Sequence, residues 1–375
     1  MLNSAIFIAL GLTIYTYLVF PAILFILDKL IKKDDGNYPE DIGDYPRVAI
    51  VCAMYNEEKV VREKIENFLN INYRNLKLYI GSDGSNDSTN SILQEYSYDE
   101  RIMTFEFPRR GKVYVINDLI EKVDEEIIVF TDANSMFEPN AITNLVKYFC
   151  DENIGVVCGR LKLLNNGKET GEGFYWRYET ALKKLENNIS CVIGANGAIY
   201  AVRKVLLQPL PVNTINDDFT ISMRILGKGF GGKYAADAIA CEEVMDDDSV
   251  EFKRHIRDAA GHYRAMVQLY SLLNPFKFKV FFLYFSHRVL RWLVPFFLIL
   301  LLFLPPFTLD AHMMRVLYLL ELIFYLFVAV GWLSKTKAKI FYVPYYFIYI
   351  NIALLIGFFK QILGVQKVTW DSTAR

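Results

Sequence analysis

The sequence predicts an α/β domain held between membrane-spanning helices. Three observations carry this: long apolar blocks at both ends of the chain, a polar middle in which short β-branched runs alternate with amphipathic ones, and acidic loops that close those runs. With 53% hydrophobic residues among 375, gathered in blocks, the composition is that of a membrane protein carrying a water-facing domain. The polar stretch, from about Asp41 to Arg264, is long enough for one α/β domain with a sizeable core.

Residues 4–27 form the first apolar block, and a helix needs roughly 20 such residues to cross the hydrocarbon core. No basic residue precedes it and no small-residue cleavage pattern follows, so it reads as a retained anchor. Lys29, Lys32 and Lys33 come next, which by the positive-inside rule puts the following domain in the cytoplasm and the amino terminus outside. Within that domain, 48–52 reads as a buried strand, followed by Asn56-Glu57-Glu58 and an amphipathic helix to about Asn70. A second strand, 76–80, ends at Gly81-Ser82-Asp83-Gly84-Ser85 and leads to a helix from about Ser88. Residues 102–107 make a third strand, 113–122 a helix and 127–131 a fourth strand, an alternation that implies a mostly parallel sheet covered by helices.

Beyond the polar stretch, 276–286 reads as an amphipathic helix on the membrane surface, rich in Phe with Lys277 and Lys279. Residues 289–307 and 315–333 read as spans, bounded by His287, Arg288 and Arg291 at the cytoplasmic entry and by Lys335, Lys337 and Lys339 at the return. The topology of 340–375 stays open. A fourth crossing over 340–359 would leave Lys360, Lys367 and Arg375 outside, and Pro344 with Tyr342, Tyr345, Tyr346 and Tyr349 would suit a bent or interfacial segment. The expected organisation is an anchor over 1–30, an α/β domain over 41–265, and an interfacial helix with membrane helices over 276–363.

The net charge of −1 argues against a nucleic-acid partner, which calls for a basic face. The five cysteines (52, 150, 158, 191 and 241) form no CxxC pair and fit reduced thiols better than a disulfide framework or a zinc site. Gly227-Lys228-Gly229-Phe230-Gly231-Gly232 satisfies GxGxxG, but it follows a helical run and precedes a strand-like one, the reverse of a dinucleotide turn.

The triplet Asp132-Ala133-Asn134 closes the apolar run 127–130, where ligands collect in open α/β sheets. Alone, an Asp-any-Asn triplet is explained by turn capping. It shares its sheet edge, however, with the polar loops 53–57 and 82–87, and three such loops point to a cleft for a nucleotide and a metal ion. Oxygen side chains suit Mg²⁺ or Mn²⁺, and Mg²⁺ is commonly held by one or two protein oxygens together with substrate phosphates.

Taken in order, Tyr55-Asn56-Glu57-Glu58, Ser82 to Thr89, Arg110-Gly111-Lys112, Thr131-Asp132-Ala133-Asn134, Gly194-Ala195-Asn196-Gly197, Asn216-Asp217-Asp218-Phe219 and Arg254-His255-Ile256-Arg257 resemble the family 2 glycosyltransferases. The resemblance covers about residues 46–295. It implies a membrane-bound inverting enzyme with a GT-A, Rossmann-like catalytic domain that uses nucleotide sugars. It further implies that Ala53, Tyr55 and Glu57 form the nucleoside edge, that Asp83 reads the base, and that Arg110 and Lys112 lie near the nucleotide. Asp132 and Asn134 fall at the family's Asp-any-Asp positions for ribose, diphosphate and metal, with Asn134 in place of the second carboxylate. That replacement removes a negative charge and should lower affinity for the free metal.

Asp217-Asp218 falls at the family's Thr-Glu-Asp position, so Asp218 is the expected general base. An acceptor hydroxyl must lose its proton as it attacks, and a positioned carboxylate supplies roughly 10²–10⁴-fold. Asn216 and Asp217 would also serve to cap a helix from about Phe219. Arg254 and Arg257 lie three apart on a helix and would share a face toward the leaving diphosphate. They stand where processive members carry Gln-any-any-Arg-Trp, with Arg254 for the Gln and Asp258 for the Trp, which argues against processive synthesis. On the acceptor side the resemblance implies the helix that carries Trp176 and Glu179, and the loop with Gly194, Asn196 and Gly197. The expected activity is transfer of one sugar from a UDP-linked donor to a lipid-linked or growing glycan acceptor, in contact with membrane lipids. A polysaccharide synthase that exports its product and an idle scaffold are the rival expectations.

Overall fold

The computed structural model describes residues 1–31, 38, 45–165, 168–169, 174–243, 248–309, 312–334, 336 and 338–368, with backbone only at 168–169, 174–176 and 248. Lys32, Lys33, Lys335, Lys337, Arg375 and the domain start near Asp41 therefore lie outside the described residues, as does the side chain of Trp176. The chain forms two compact units. One is built on Met1–Ile23, Asp247–Gln268 and Phe281–Gln366, the other on Leu24–Asp246 and Leu269–Val280.

The second unit is organised by a sheet of nine strands: β1 (Val48–Met54), β2 (Leu76–Asp83), β3 (Ile102–Phe107), β4 (Ile127–Phe130), β5 (Met136–Phe137), β6 (Ile154–Asn165), β7 (Lys168–Glu169), β8 (Tyr200–Arg203) and β9 (Gly231–Glu243). Their order is β3-β2-β1-β4-β8-β6-β9-β5, with β7 paired to β6. All seven residues of β1 are buried, which explains its unbroken apolar sequence: a central parallel strand is covered on both faces. Val48 is in register with both Leu76 and Ile127, so β1, β2 and β4 run together and release their loops at one edge. Side chains from both halves of the sheet, among them Ile50, Leu78, Val129, Val157 and Ala201, join one core.

Beyond β4 the arrangement departs from the mostly parallel sheet expected. β8 runs antiparallel to β4 and β6, and β5 antiparallel to β9, so only the β3-β2-β1-β4 half follows the β-α alternation. The long strand β9 contains few β-branched residues, and its pairing with β6, not its own propensity, makes it a strand. Gly227–Gly232 joins the helix Asp217–Gly227 to β9, an order that suits no dinucleotide turn.

In the other unit the helix Asp248–Gln268 packs with the apolar helices, so this unit takes up residues read from sequence as the end of the α/β domain. The Tyr263 hydroxyl donates to the Trp292 carbonyl at 2.5 Å, His262 stacks on Trp292, and Arg264 donates to Gln361 at 3.0 Å. Among the described residues four helices are long and apolar enough to cross a membrane: Leu2–Leu30, Phe278–Phe307, His312–Ser334 and Lys339–Ile362. One sequence expectation changes here, and a stretch the sequence left open takes a definite form. Residues 276–286 do not form a separate surface helix, because Phe278–Tyr284 continues through a π-helical turn, Phe285–Val289, into Leu290–Phe303. The stretch 340–359 belongs to one continuous helix that accommodates Pro344.

Candidate functional site

The parallel register sets the site, because it brings the loops after β1, β2 and β4 to one edge. The first two loops are stitched together. Asn56 adopts a left-handed backbone (φ 52°), which Asn tolerates better than most residues, and its amide receives Ser85 Oγ at 3.0 Å as acceptor. Asn86 donates to Asn56 Oδ1 at 2.9 Å, Glu57 donates to Thr89 Oγ1 at 2.8 Å, the Glu58 amide donates to Asp87 Oδ2 at 3.1 Å, and the Ser88 amide donates to Glu58 Oε2 at 3.0 Å. Tyr55 and Glu57 are half-buried on this edge, and Ala53 is buried one residue before the end of β1.

Asp83, at the end of β2, is fully buried. Its Oδ1 accepts the Arg110 amide at 2.7 Å, its Oδ2 accepts the Gly111 amide at 2.9 Å, and Oδ2 pairs with the Arg109 guanidinium. Arg109 in turn lies over the Tyr55 ring, 3.3 Å from its centroid. In this geometry Asp83 shapes the loop 109–111 and would reach a nucleobase only if Arg109 moved aside. Arg109 was not singled out by the sequence; the neighbouring Arg110 was, yet its guanidinium pairs with Asp118 on the helix that follows it. The arginine that covers Tyr55 is the first of the Arg109-Arg110 pair, and a doubled arginine before Gly111 was the available signal.

Lys112, at the first position of the helix Lys112–Lys122, is the centre of the second group. Its Nζ lies 2.9 Å from Asp132 Oδ1 and 3.3 Å from Asp217 Oδ1. Burial alone would lower Lys112, but the carboxylates of Asp132, Asp217 and Asp218 outweigh it and hold the ammonium above its ordinary value. Asp217 and Asp218 open the helix Asp217–Gly227, where acids complement the helix dipole. Asn216 is the cap residue, but its side chain makes no capping hydrogen bond, so the capping reading of this motif rests on Asp217 and Asp218 alone. Burial and the adjacent Asp217 push the Asp218 carboxyl up to about 7, against the pull of Lys112 and of the Phe219 amide that donates to Asp218 Oδ1 at 2.7 Å.

Gly197 joins the two sides of the cluster. A Cβ placed there would sit 3.0 Å from Asp132 Oδ2 and 3.7 Å from Asp218 Oδ2, so only glycine leaves the space between these oxygens open. Gly194 has a left-handed backbone (φ 86°), and a Cβ there would strike the Phe219 ring at 2.4 Å. Asn196 acts inside the loop: it donates to the Gly159 carbonyl at 3.0 Å and accepts the Ile199 amide at 3.2 Å. Glu179 is buried on the helix Phe174–Ile189. A small cavity in the floor of the cleft is lined by Ala53, Lys112, Thr131, Gly197, Tyr200 and Asp217, among others.

Asp132 and Asn134 remain accessible while Ala133 between them is buried. Among the described residues no group of three His, Cys, Asp or Glu side chains could hold a metal ion on its own. The donor set therefore fits a cation that arrives with phosphate oxygens, to which Asp132 and Asn134 would add their own. Lys64 was missed by the sequence reading. Burial lowers it to about 8, while the negative charge of Asp132 and Glu242 opposes that fall. Arg254 and Arg257 belong to the helical unit, where Arg257 pairs with Asp258 at 3.2 Å.

Residues 49–205 match the family described as Glycosyl transferase family 2. The chain carries a family 2 glycosyltransferase domain. Among curated relatives, "Probable glycosyltransferase YdaM" of Bacillus subtilis (strain 168) is 23% identical over 280 residues, covering 68% of this chain and 66% of the relative. A poly-beta-1,6-N-acetyl-D-glucosamine synthase of Staphylococcus epidermidis is 21% identical over 249 residues, covering 64% of this chain and 60% of the synthase. The chain thus spans somewhat under two thirds of the length of these relatives. Among solved structures, the mannosyltransferase PcManGT from Pyrobaculum calidifontis, in complex with GDP-Man and Mn²⁺, superposes with a TM-score of 0.74 at 19% identity over 97% of this chain and 99% of that one. This likeness shows the fold: the family 2 domain has the GT-A architecture and is accompanied by helices able to cross a membrane.

Proposed function

We propose that the chain is an inverting glycosyltransferase that moves one sugar from a nucleoside diphosphate sugar, UDP-linked, to a hydroxyl of a lipid-linked or growing glycan at the cytoplasmic face of the cell membrane. The observation that carries this reading is the convergence of Asp132, Asp217 and Lys112, with Asp218 across Gly197, on one end of the parallel half-sheet. Asp218 takes the proton of the acceptor hydroxyl as that oxygen attacks the anomeric carbon. The bond from that carbon to the diphosphate breaks, the electron pair leaves with the nucleoside diphosphate, and the configuration inverts. A carboxylate raised to about 7 is a stronger base than an ordinary aspartate, which suits this task.

Lys112 places a fixed cation beside the diphosphate position, where it offsets the charge that grows on the leaving group. Asp132 and Asn134 would hold a Mg²⁺ or Mn²⁺ ion, which when bound supplies neutralisation of the diphosphate charge. Arg254 and Arg257 are assigned the outer diphosphate contacts, and Trp176 and Glu179 the acceptor side. Ala53, Tyr55 and Glu57 border the nucleoside, with Arg109 over Tyr55 as a gate to Asp83.

A second reading, processive synthesis with export through the membrane helices, draws on the synthase relative and on the four apolar helices. Product length on a defined primer separates the two, since single transfer yields a product one sugar longer. To test the first reading, the detergent-purified chain is screened with UDP- and GDP-sugars and Mn²⁺ by thermal stabilisation and then by transfer to a lipid-linked acceptor. Stabilisation by a nucleotide sugar and transfer with inversion are expected. No stabilisation by any of them would refute the proposal.

A further inference from the structure

Lys64 sits on the helix Val61–Leu69 and is 2% exposed, yet it is a lysine in a position where an apolar residue would fill the space. Its Nζ donates to Thr131 Oγ1 at 2.9 Å and, at closer range, to the Ser135 carbonyl, and it lies 4.6 Å from the centre of the Phe137 ring. Thr131 and Ser135 are the residues that bracket Asp132-Ala133-Asn134. Each is also fastened outward: Thr131 Oγ1 donates to the Ala198 carbonyl at 2.9 Å, next to Gly197, and Ser135 Oγ donates to Glu242 Oε1 at 2.5 Å. One buried ammonium thus closes both ends of a loop in which Asp132 and Asn134 stay half-buried around the buried Ala133.

Burying an ammonium is costly, and stability alone would be served as well by an apolar side chain of similar size. What the ammonium adds is a fixed separation between two points of the loop four positions apart, the Thr131 hydroxyl and the Ser135 carbonyl. We propose that Lys64 is a positioning residue, holding the 131–135 loop so that the Asp132 and Asn134 oxygens are spaced for a divalent cation that arrives with a nucleoside diphosphate. The neutral Asn134 makes this support matter, because a site with one carboxylate holds its cation through geometry more than through charge. The inference rests on the metal and nucleotide reading of the loop given above.

The test uses the full chain in detergent and measures the affinity for UDP and for GDP by calorimetry, with Mn²⁺ and with EDTA, alongside the melting temperature. Lys64→Met should lose about tenfold of the gain in nucleotide affinity that Mn²⁺ confers, the scale on which groups supporting metal ligands act, and keep the affinity measured in EDTA. Lys64→Arg should recover part of the gain. Thr131→Val, which removes one acceptor and keeps the shape, should lose a smaller part and serves as the deciding variant if the Lys64 variants do not fold. A purely structural lysine would lower the melting temperature and leave the Mn²⁺-dependent gain intact, and that result in any folded variant would overturn the proposal. If wild type shows no Mn²⁺-dependent gain with either nucleotide, the metal and nucleotide reading fails and this proposal falls with it.

Discussion

Asp83 and Asp218 both stand at element ends in the sheet unit, and their surroundings differ. Asp83 is fully buried, and its two oxygens accept backbone amides of Arg110 and Gly111 and pair with Arg109. Asp218 is part-exposed, accepts the amide of Phe219, and shares one cation, Lys112, with Asp217 and Asp132. The first carboxylate is satisfied by its loop and holds it in place. The second sits among like charges with its basicity raised, the condition that marks reactive groups. The same chemical group is enclosed by its own loop in one place and crowded by like charges in the other.

The comparison can be broken by moving each carboxylate. Asp83→Ala leaves two backbone amides, that of buried Gly111 among them, and a guanidinium without their acceptor and should cost about 3 kcal/mol of stability, read as a fall in denaturation midpoint. Asp218→Ala should change stability by less than about 1 kcal/mol in either direction, because it removes a repelled charge along with a helix-dipole contact. Equal losses in the two variants would contradict the distinction. Lys112→Met removes the cation shared by the three carboxylates and should lower kcat/KM by about 10²-fold, as the loss of one charge-stabilising donor does elsewhere.

A pH series sharpens the contrast. As general base Asp218 works deprotonated, so activity should fall as pH drops through about 7. Its effect on stability has the opposite sign. A carboxyl whose folded value is raised above its ordinary 3.8 contributes stability that is fully present below that value and is lost as pH rises through about 7. Asp218→Asn should flatten that part of the stability profile; an unchanged profile would mean that another group titrates there. The smallest effect is expected at Tyr200, whose buried hydroxyl has no hydrogen-bond partner among the described residues. Tyr200→Phe should leave the melting temperature unchanged or raise it by a degree or so, since it removes an unsatisfied polar group.

The parallel half of the sheet was legible because central strands buried on both faces announce themselves as unbroken apolar runs, as 127–130 does. The mixed half was not. β9 reads Gly-Gly-Lys-Tyr-Ala-Ala-Asp and becomes a strand through long-range pairing with β6, which no local pattern encodes. The same holds for the site. Asp132, Asp217, Asp218, Lys112 and Gly197 come together as their motifs suggested, while Arg109 and Lys64 act through contacts made only in the folded state. A lysine on the face of an amphipathic helix looks solvated until the loop it supports is seen to lie over it. The surface helix expected at 276–286 was misjudged for a related reason: Lys277 and Lys279 at the start of a long apolar run look like an amphipathic face when that run is read in pieces.

The central claim is that Asp218 is reserved for proton transfer and not for holding the nucleotide or the fold. The most direct test is Asp218→Asn, assayed in one preparation for sugar transfer and for Mn²⁺-dependent nucleotide binding. The account predicts a loss of at least about 10² in kcat with nucleotide affinity near wild type. Transfer at the wild-type rate, or a loss of nucleotide binding equal to the loss of transfer, would contradict it.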